Sequence, residues 1–192
     1  MAILYPQAQL HPCAHFNPRP DGTAGEVSLL VIHNISLPAG YFGGPYISQL
    51  FAGTLMCSAH PSFSELQGLT VSAHVCIRRD GQVIQYVDFL QRAWHAGISS
   101  FQGRSGCNDY SIGIELEGTD TLAYTDAQYT ALAQVTGFIQ AQFPKITIGR
   151  IVGHNDIAPG RKTDPGFAFD WPRFRHSLQV TPPLFTNKVS NA

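Results

Sequence analysis

Residues 111–118 read SIGIELEG, and this stretch alternates between apolar and polar positions. Ile112, Ile114 and Leu116 fall on one face of a strand, whereas Glu115 and Glu117 fall on the other. Two carboxylates beside a buried strand need an explanation. Either their face is solvated or close to a strand end, or one of them is a general base. The pattern therefore predicts a strand with one packed face and one face that carries carboxylates.

Strands and helices alternate around this stretch. An apolar run at 27–34, VSLLVIHN, predicts a buried strand, and 69–87 predicts a hairpin with Asp80-Gly81 in a type I′ turn. Further elements are expected in three segments: a capped helix at 125–143, a strand at 147–154 and a short helix at 170–178. The alternation predicts a single α/β domain. We place an N-terminal arm at 1–26, this α/β domain at 27–178 and a tail at 179–192.

The composition narrows the classes of partner. The 192 residues carry 13% charged side chains and a net charge of −1, with no basic run, which argues against nucleic acid. No apolar run approaches a membrane span, and the N-terminus does not resemble a signal peptide, so we expect a cytoplasmic protein with no membrane contact. Four widely spaced cysteines, without a Cys-x-x-Cys pair, are expected to be free thiols.

Two histidines stand where predicted strands end. His33 lies at the end of the strand at 27–34, and His154 ends the strand at 147–154 within VGHNDIAPGRKTDPG (152–166). Asp164 lies ten residues further on, across a loop that can fold back. Two imidazoles and one carboxylate are a common zinc set, and three protein ligands leave a fourth position for water. Ordinary hydrogen-bonded roles remain an alternative, and rival ligands are present: His60, His74, His95, Asp156 and Asp170.

Other residues near these positions can serve a reaction. One carboxylate of Glu115 and Glu117 can act as general base on a water at the metal. Lys162 can stabilise an oxyanion, or it is an ordinary surface lysine. In RAWHAG, at 92–97, Trp94 and His95 can face a sugar or a peptide, or Trp94 can be a core anchor.

Five motifs in order together resemble one family. They are LLVIHNISLP, RRDGQVIQYV, RAWHAG, CNDYSIGIELEGTD and GHNDIAPGRKTDPG. In these motifs the chain resembles the zinc N-acetylmuramoyl-L-alanine amidases, and most closely the cytoplasmic type that acts on 1,6-anhydro-muropeptides. The resemblance runs from about residue 18 to residue 175. It implies a mixed central β-sheet flanked by helices, a fold that peptidoglycan recognition proteins share.

The resemblance also implies residue roles. His33, His154 and Asp164 take the zinc-ligand positions, Glu115 takes the acid/base position, and Lys162 takes the oxyanion-stabilising position. Four residues would line the substrate groove: Asn34, Trp94, His95 and Arg161. Glu117 would then be structural.

The implied reaction is hydrolysis of the amide between N-acetylmuramic acid and L-alanine, in cell-wall recycling and in control of β-lactamase induction. The expected partner is a small muropeptide, and we expect a monomer. Three alternatives stay open: a module that binds muropeptides without cutting them, an amidase of intact cell wall, and a structural zinc site.

Overall fold

A computed structural model describes residues 2–20 and 26–180. Its centre is a six-stranded mixed sheet of strand order β1-β5-β4-β9-β3-β10. These strands are β1 (Gln9–Leu10), β3 (Leu29–Ile35), β4 (Val75–Ile77), β5 (Val83–Gln85), β9 (Ser111–Glu117) and β10 (Ile151–Gly153). β4, β9, β3 and β10 run parallel to one another, β1 runs parallel to β5, and β5 is antiparallel to β4. The mixed α/β fold predicted from the sequence is confirmed.

Within the described residues, two small ribbons and four helices surround this sheet. The ribbons pair β2 (Phe16–Pro18) with β6 (Gln91–Ala93), and β7 (Ser100–Phe101) with β8 (Arg104–Ser105). The helices are α1 (Tyr46–Phe51), α2 (Asp126–Gln142), α3 (His154–Ile157) and α4 (Trp171–Val180). Short 3₁₀ turns lie at Cys57–Ala59, Pro61–Leu66, Cys107–Asp109 and Ile148–Arg150. None of the described helices is long and apolar enough to span a membrane.

The two faces of the sheet are packed differently. One face lies against α2 and α4, where Ile112 and Ile114 of β9 join Leu132 and Phe174 in the main core. The opposite face packs against loops and short elements, among them Ala96 and Tyr110. Helices therefore cover one face fully, while near the carboxyl ends of β3 and β9 loops leave the other face open for a site.

Local signals in the sequence set several boundaries correctly. Thr125 caps α2: its hydroxyl accepts the backbone N–H of Gln128, whose side chain accepts the N–H of Thr125 in return. Asp170 caps α4 through the N–H of Arg173. Both helices begin where the capping residues predict.

The turn between β4 and β5 differs from the prediction. Only Gly81 of the predicted pair has a positive φ, +88°, so the turn is not type I′. The N–H of Gly81 donates to the carbonyl of Arg78, and the N–H of Arg78 donates to the carbonyl of Gln82. The connection is therefore one residue longer than a two-residue hairpin, with the glycine at the left-handed position.

The segment predicted as an N-terminal arm contributes two strands, because β1 adds to the sheet edge and β2 pairs with β6. Cys76 and Cys107 are buried and Cys13 and Cys57 are half-buried, and none of the four is paired in the structure. Of the predicted tail, residues 181–192 lie outside the described residues.

Candidate metal centre

Three side chains meet at the carboxyl ends of neighbouring strands. His33 lies near the end of β3, and His154 is the first residue of α3, directly after β10 rather than at the end of a strand as predicted. Asp164 lies in the loop after α3, which folds back because the N–H of Asn155 donates to the carbonyl of Asp164. The parallel pairing of β3 with β10 brings the two histidines together.

The ligand atoms of this trio form a nearly equilateral triangle. His33 Nδ1 lies 3.0 Å from His154 Nδ1 and 2.9 Å from Asp164 Oδ2, and His154 Nδ1 lies 3.0 Å from the same oxygen. Tetrahedral zinc with bonds of about 2.0–2.1 Å separates its ligand atoms by about 3.3 Å. Among the described residues, this is the group of histidine, cysteine and carboxylate side chains placed to share a metal ion.

Hydrogen bonds and pKa values indicate which atoms of the triangle carry protons, and so what kind of ion it can hold. His154 Nε2 lies 3.1 Å from the carbonyl of Ala96, which only accepts, so Nε2 carries the proton and Nδ1 presents a lone pair. The pKa of Asp164 is held well below its usual range: burial would raise it, but the facing imidazoles of His154 and His33 outweigh the effect of burial. Burial lowers the pKa of His33 to about 4. The lone pairs of two neutral imidazole nitrogens and one carboxylate oxygen can therefore point to the centre of the triangle. This arrangement suits a divalent cation.

The rival ligands have other partners. His60 is bonded to Ser62 through Nδ1. Asp156 accepts the N–H of Gly153, and Asp170 caps α4. His74 accepts the N–H of Gly113 with Nδ1 and lies 3.1 Å from the carbonyl of Gln91 through Nε2.

Glu115 lies beside the triangle, and one of its carboxylate oxygens has no hydrogen-bond partner among the described residues. It is the register partner of His33 in the pairing of β3 with β9, so both side chains leave the same face. Its Oε2 is buried and accepts no hydrogen bond from any described residue. Burial, and then the carboxylate of Asp164, raise its pKa well above the usual range. A carboxylate with a raised pKa and a free oxygen suits proton transfer.

Glu117, two residues further on, is used differently. It is 1% exposed, so its own position is not solvated, and it is the last residue of β9, in agreement with the strand-end alternative. Its Oε1 accepts the N–H of Gly43, and its Oε2 accepts the N–H of Arg79. The second carboxylate therefore ties two loops to the end of β9.

One cavity of about 800 Å³ opens above the triangle. The nine residues to which the resemblance gives a metal, catalytic or substrate role all line it: His33, Asn34, Trp94, His95, Glu115, His154, Arg161, Lys162 and Asp164. Lys162 is exposed. Its charge lowers the pKa of Glu115, against the larger effects of burial and of Asp164, which raise it.

The four residues expected in the groove differ in their contacts. The amide of Asn34 donates to Asp120, and the indole N–H of Trp94 donates to Asn17. Arg161 donates to the carbonyls of Ala96 and Ile98 at 2.8 and 2.6 Å. His95 is buried, with its ring against His33.

Two further residues that the sequence did not predict also hold this site. Asn108 Oδ1 accepts the N–H groups of both His95 and Ala96 and so fixes the loop under His154. Ser111 contacts His95 through its hydroxyl. Ser111 shares the face of Glu115 by the alternation of β9, which was the only available signal. Nothing in the spacing pointed to Asn108.

A catalytic metal site in a hydrolase needs three protein ligands, a carboxylate free to move a proton and a cavity that admits substrate. The triangle, Glu115 and the cavity above them meet these needs. The N-acetylmuramoyl-L-alanine amidase family model matches residues 23–167. The chain therefore belongs to the N-acetylmuramoyl-L-alanine amidase family, and it is an amidase of that class.

Named relatives cover nearly the whole chain. The 1,6-anhydro-N-acetylmuramyl-L-alanine amidase AmpD of Salmonella typhimurium (strain SL1344) is 61% identical over 169 residues, covering 88% of this chain and 89% of its own. A crystal structure of a Se-Met AmpD derivative superposes with a TM-score of 0.88 at 56% identity, covering 93% of this chain and 99% of that one. The amidase AmiD of E. coli, solved with anhydro-N-acetylmuramic acid-L-Ala-D-γ-Glu-L-Lys, matches at 27% identity and a TM-score of 0.60, covering 83% of this chain and 60% of that one.

Proposed function

We propose that this protein hydrolyses the amide bond between the lactyl group of 1,6-anhydro-N-acetylmuramic acid and L-alanine in soluble muropeptides, with zinc held by His33, His154 and Asp164. The observation that carries the proposal is the triangle of ligand atoms with edges of 2.9–3.0 Å beside a carboxylate that accepts no hydrogen bond. The 61% identity to AmpD supports the choice of substrate.

Zinc at this triangle would supply a Lewis acid that polarises the scissile carbonyl and lowers the pKa of the attacking water. Glu115 takes the proton of that water, because its free oxygen faces the cavity side of the sheet and its raised pKa favours holding a proton. The same carboxyl then gives the proton to the nitrogen of the leaving alanine. The products are a carboxylate on the anhydro-sugar and a free peptide.

Lys162 contributes charge on the open side of the site. It lines the cavity, and its ammonium offsets negative charge near Glu115. In the reaction this ammonium would stabilise the oxyanion that develops on the scissile carbonyl. Asn34, Trp94 and Arg161 stay predicted contacts of the substrate, since each lines the same cavity.

Mass spectrometry of soluble anhydro-muropeptide after incubation with the purified protein tests the proposal. The protein is assayed zinc-loaded, after chelation and after zinc is added back, with Glu115→Gln as the matched inactive control. Cleavage at the muramoyl–alanine bond that disappears with chelator and returns with zinc is expected. No cleavage despite one bound zinc would contradict an enzyme of soluble fragments and favour a binding module or an amidase of intact wall. Cleavage unaffected by complete zinc removal would contradict the metal.

Cell-wall recycling, control of β-lactamase induction, a cytoplasmic location and a monomeric state are part of the same proposal. Recycling follows from the substrate, because a soluble anhydro-muropeptide is a fragment released from the wall. Deleting the gene should raise uninduced β-lactamase activity, and Glu115→Gln should fail to lower it again.

A further inference from the structure

Behind His33, on the side away from the triangle, a second imidazole is bonded to the first. His95 Nδ1 lies 2.9 Å from His33 Nε2, and His95 Nε2 lies 3.1 Å from the hydroxyl of Ser111. His95 is 9% exposed and Ser111 is fully buried. The two histidine rings meet edge to face, with centroids 5.0 Å apart. Both nitrogens of His95 are thus engaged by the protein.

The space that the His95 ring occupies, called here its seat, exists because β9 has a glycine, Gly113, at this position. A Cβ atom at Gly113 would lie 2.5 Å from His95 Cγ, so the ring rests where only glycine leaves room. The backbone N–H of His95 donates to Asn108 at 3.1 Å, which fixes the ring from its own main chain. The imidazole therefore has one position, between β9 and His33.

The direction of the hydrogen bonds follows from the metal-binding role of His33. A ligating Nδ1 carries no proton, so a neutral His33 has its proton on Nε2, and that N–H needs an acceptor. His95 Nδ1 is the acceptor within reach. His95 must then hold its own proton on Nε2 and donate it to the Ser111 hydroxyl.

We propose that His95 is a positioning residue for the metal centre: with Ser111, it accepts the Nε2 proton of His33 and so fixes the ring and the tautomer that present Nδ1 to zinc. This role differs from the substrate contact that the sequence predicted for His95. It rests on the metal site of the proposed function. In zinc proteins, outer hydrogen-bond partners of this kind are worth about 10- to 100-fold in metal affinity.

Two substitutions at His95 separate the effect of losing the hydrogen-bond acceptor for His33 from the effect of losing the volume of the ring. His95→Asn keeps an oxygen near the place of Nδ1, whereas His95→Leu fills the space and accepts nothing. Competition with a chromophoric chelator gives the zinc dissociation constant of each variant, with His60→Leu as a control at a histidine outside the metal cluster. We expect His95→Leu to bind zinc about 10- to 100-fold more weakly and His95→Asn to recover most of the loss. Equal zinc affinity in wild type, His95→Leu and His95→Asn would overturn the proposal.

Two further measurements do not depend on His95→Leu folding. Ser111→Ala removes one buried hydroxyl, and we expect a smaller but measurable loss of zinc affinity, because His95 loses the acceptor that fixes its ring. Nitrogen-15 NMR of zinc-loaded wild type should show His95 protonated at Nε2 and His33 protonated at Nε2. A proton on His95 Nδ1 in that state would overturn the proposed direction.

These outcomes are distinct from failure of the proposed function. If wild type binds no zinc, the metal site itself is wrong. If wild type binds zinc and cleaves muropeptide while all three variants bind zinc equally well, only the role of His95 and Ser111 is wrong. Melting curves of the metal-free variants show whether a loss of zinc affinity follows a loss of folding.

Discussion

Glu115 pairs directly with His33 across the parallel strands β3 and β9, so a candidate general base and a candidate metal ligand leave the same face of the sheet one strand apart. The carboxylate is held by the backbone alone, because its Oε2 accepts no hydrogen bond from any described residue. The sheet therefore positions Glu115 while the lone pairs of its Oε2 stay free of hydrogen bonds from the described residues. This leaves the carboxylate free to accept and release a proton.

Replacing Glu115 by glutamine should separate catalysis from metal binding. Glu115→Gln removes the base but no hydrogen bond to Oε2, so we expect zinc content and unfolding free energy to be maintained, with kcat lower by about 10²- to 10⁴-fold. The comparison is Glu117→Gln, which sets an amide NH₂ against a backbone N–H and should cost about 1–3 kcal/mol of stability. Wild-type turnover in Glu115→Gln would remove this residue from the mechanism.

His154→Ala should abolish both zinc binding and activity. It removes one corner of the triangle and also the hydrogen bond to the carbonyl of Ala96. Metal content of the purified variant is the readout, with His60→Ala as the histidine control outside the cluster. One zinc per chain retained in His154→Ala would refute the ligand assignment.

Lys162→Ala tests the oxyanion role. If the ammonium stabilises charge that appears only in the transition state, kcat should fall by roughly 10²-fold or more, with little change in KM. Lys145→Ala is the control, because Lys145 is an exposed lysine outside the cavity lining. An effect confined to KM would make Lys162 a ground-state contact of the substrate.

The sequence predicted what depends on local patterns. Alternation placed Glu115 and Glu117 on one face of β9, and the capping residues placed the start of α2. It failed where geometry depends on distant partners. The turn at Asp80-Gly81 takes its length from the register of β4 on β5, which no residue in the turn encodes.

The site was predicted in the same uneven way. Buried strands can be recognised in the sequence as apolar runs. His33 and His154 stand where two such runs end, so both could be predicted as site residues. Asn108 and the seat of His95 were not visible, and only the alternation of β9 pointed to Ser111, because these contacts join residues that are 12 to 18 positions apart through loops with no periodic signal.

Gly113→Ala should disturb the metal centre although Gly113 touches no ligand. Its backbone conformation is ordinary for a strand, so the cost comes from the new Cβ, which would lie 2.5 Å from His95 Cγ. We expect a loss of roughly 1–3 kcal/mol in unfolding free energy and weaker zinc binding, because the ring must move. Gly137→Ala in α2 is the control: nothing lies within 4 Å of its Cβ, and alanine should stabilise that helix by roughly 0.5–1 kcal/mol. Unchanged zinc affinity in Gly113→Ala would show that the seat of His95 is not rigid.

His74 should make the metal-free protein labile to acid. Its imidazole is fully buried, with Nδ1 on the N–H of Gly113 and Nε2 on the carbonyl of Gln91. Burial, and then the guanidinium of Arg19, lower its pKa from 6.5 to about 3. Below pH 6.5 the unfolded chain takes up a proton that the folded protein does not. The free energy of unfolding therefore falls as pH decreases from about 6.5 to about 3, by up to about 1.4 kcal/mol per pH unit for this one group.

Neighbouring groups act in the same direction, so a variant is needed to isolate His74. His33 and His95 face it and also have lowered pKa values, and protonation of Asp164 at still lower pH removes further stability. Denaturant unfolding of metal-free His74→Asn should give a lower stability at neutral pH but a shallower acid slope, by about one proton, than wild type. His60→Asn should leave the slope unchanged. Parallel curves for wild type and His74→Asn would mean that His74 is not held neutral in the folded protein.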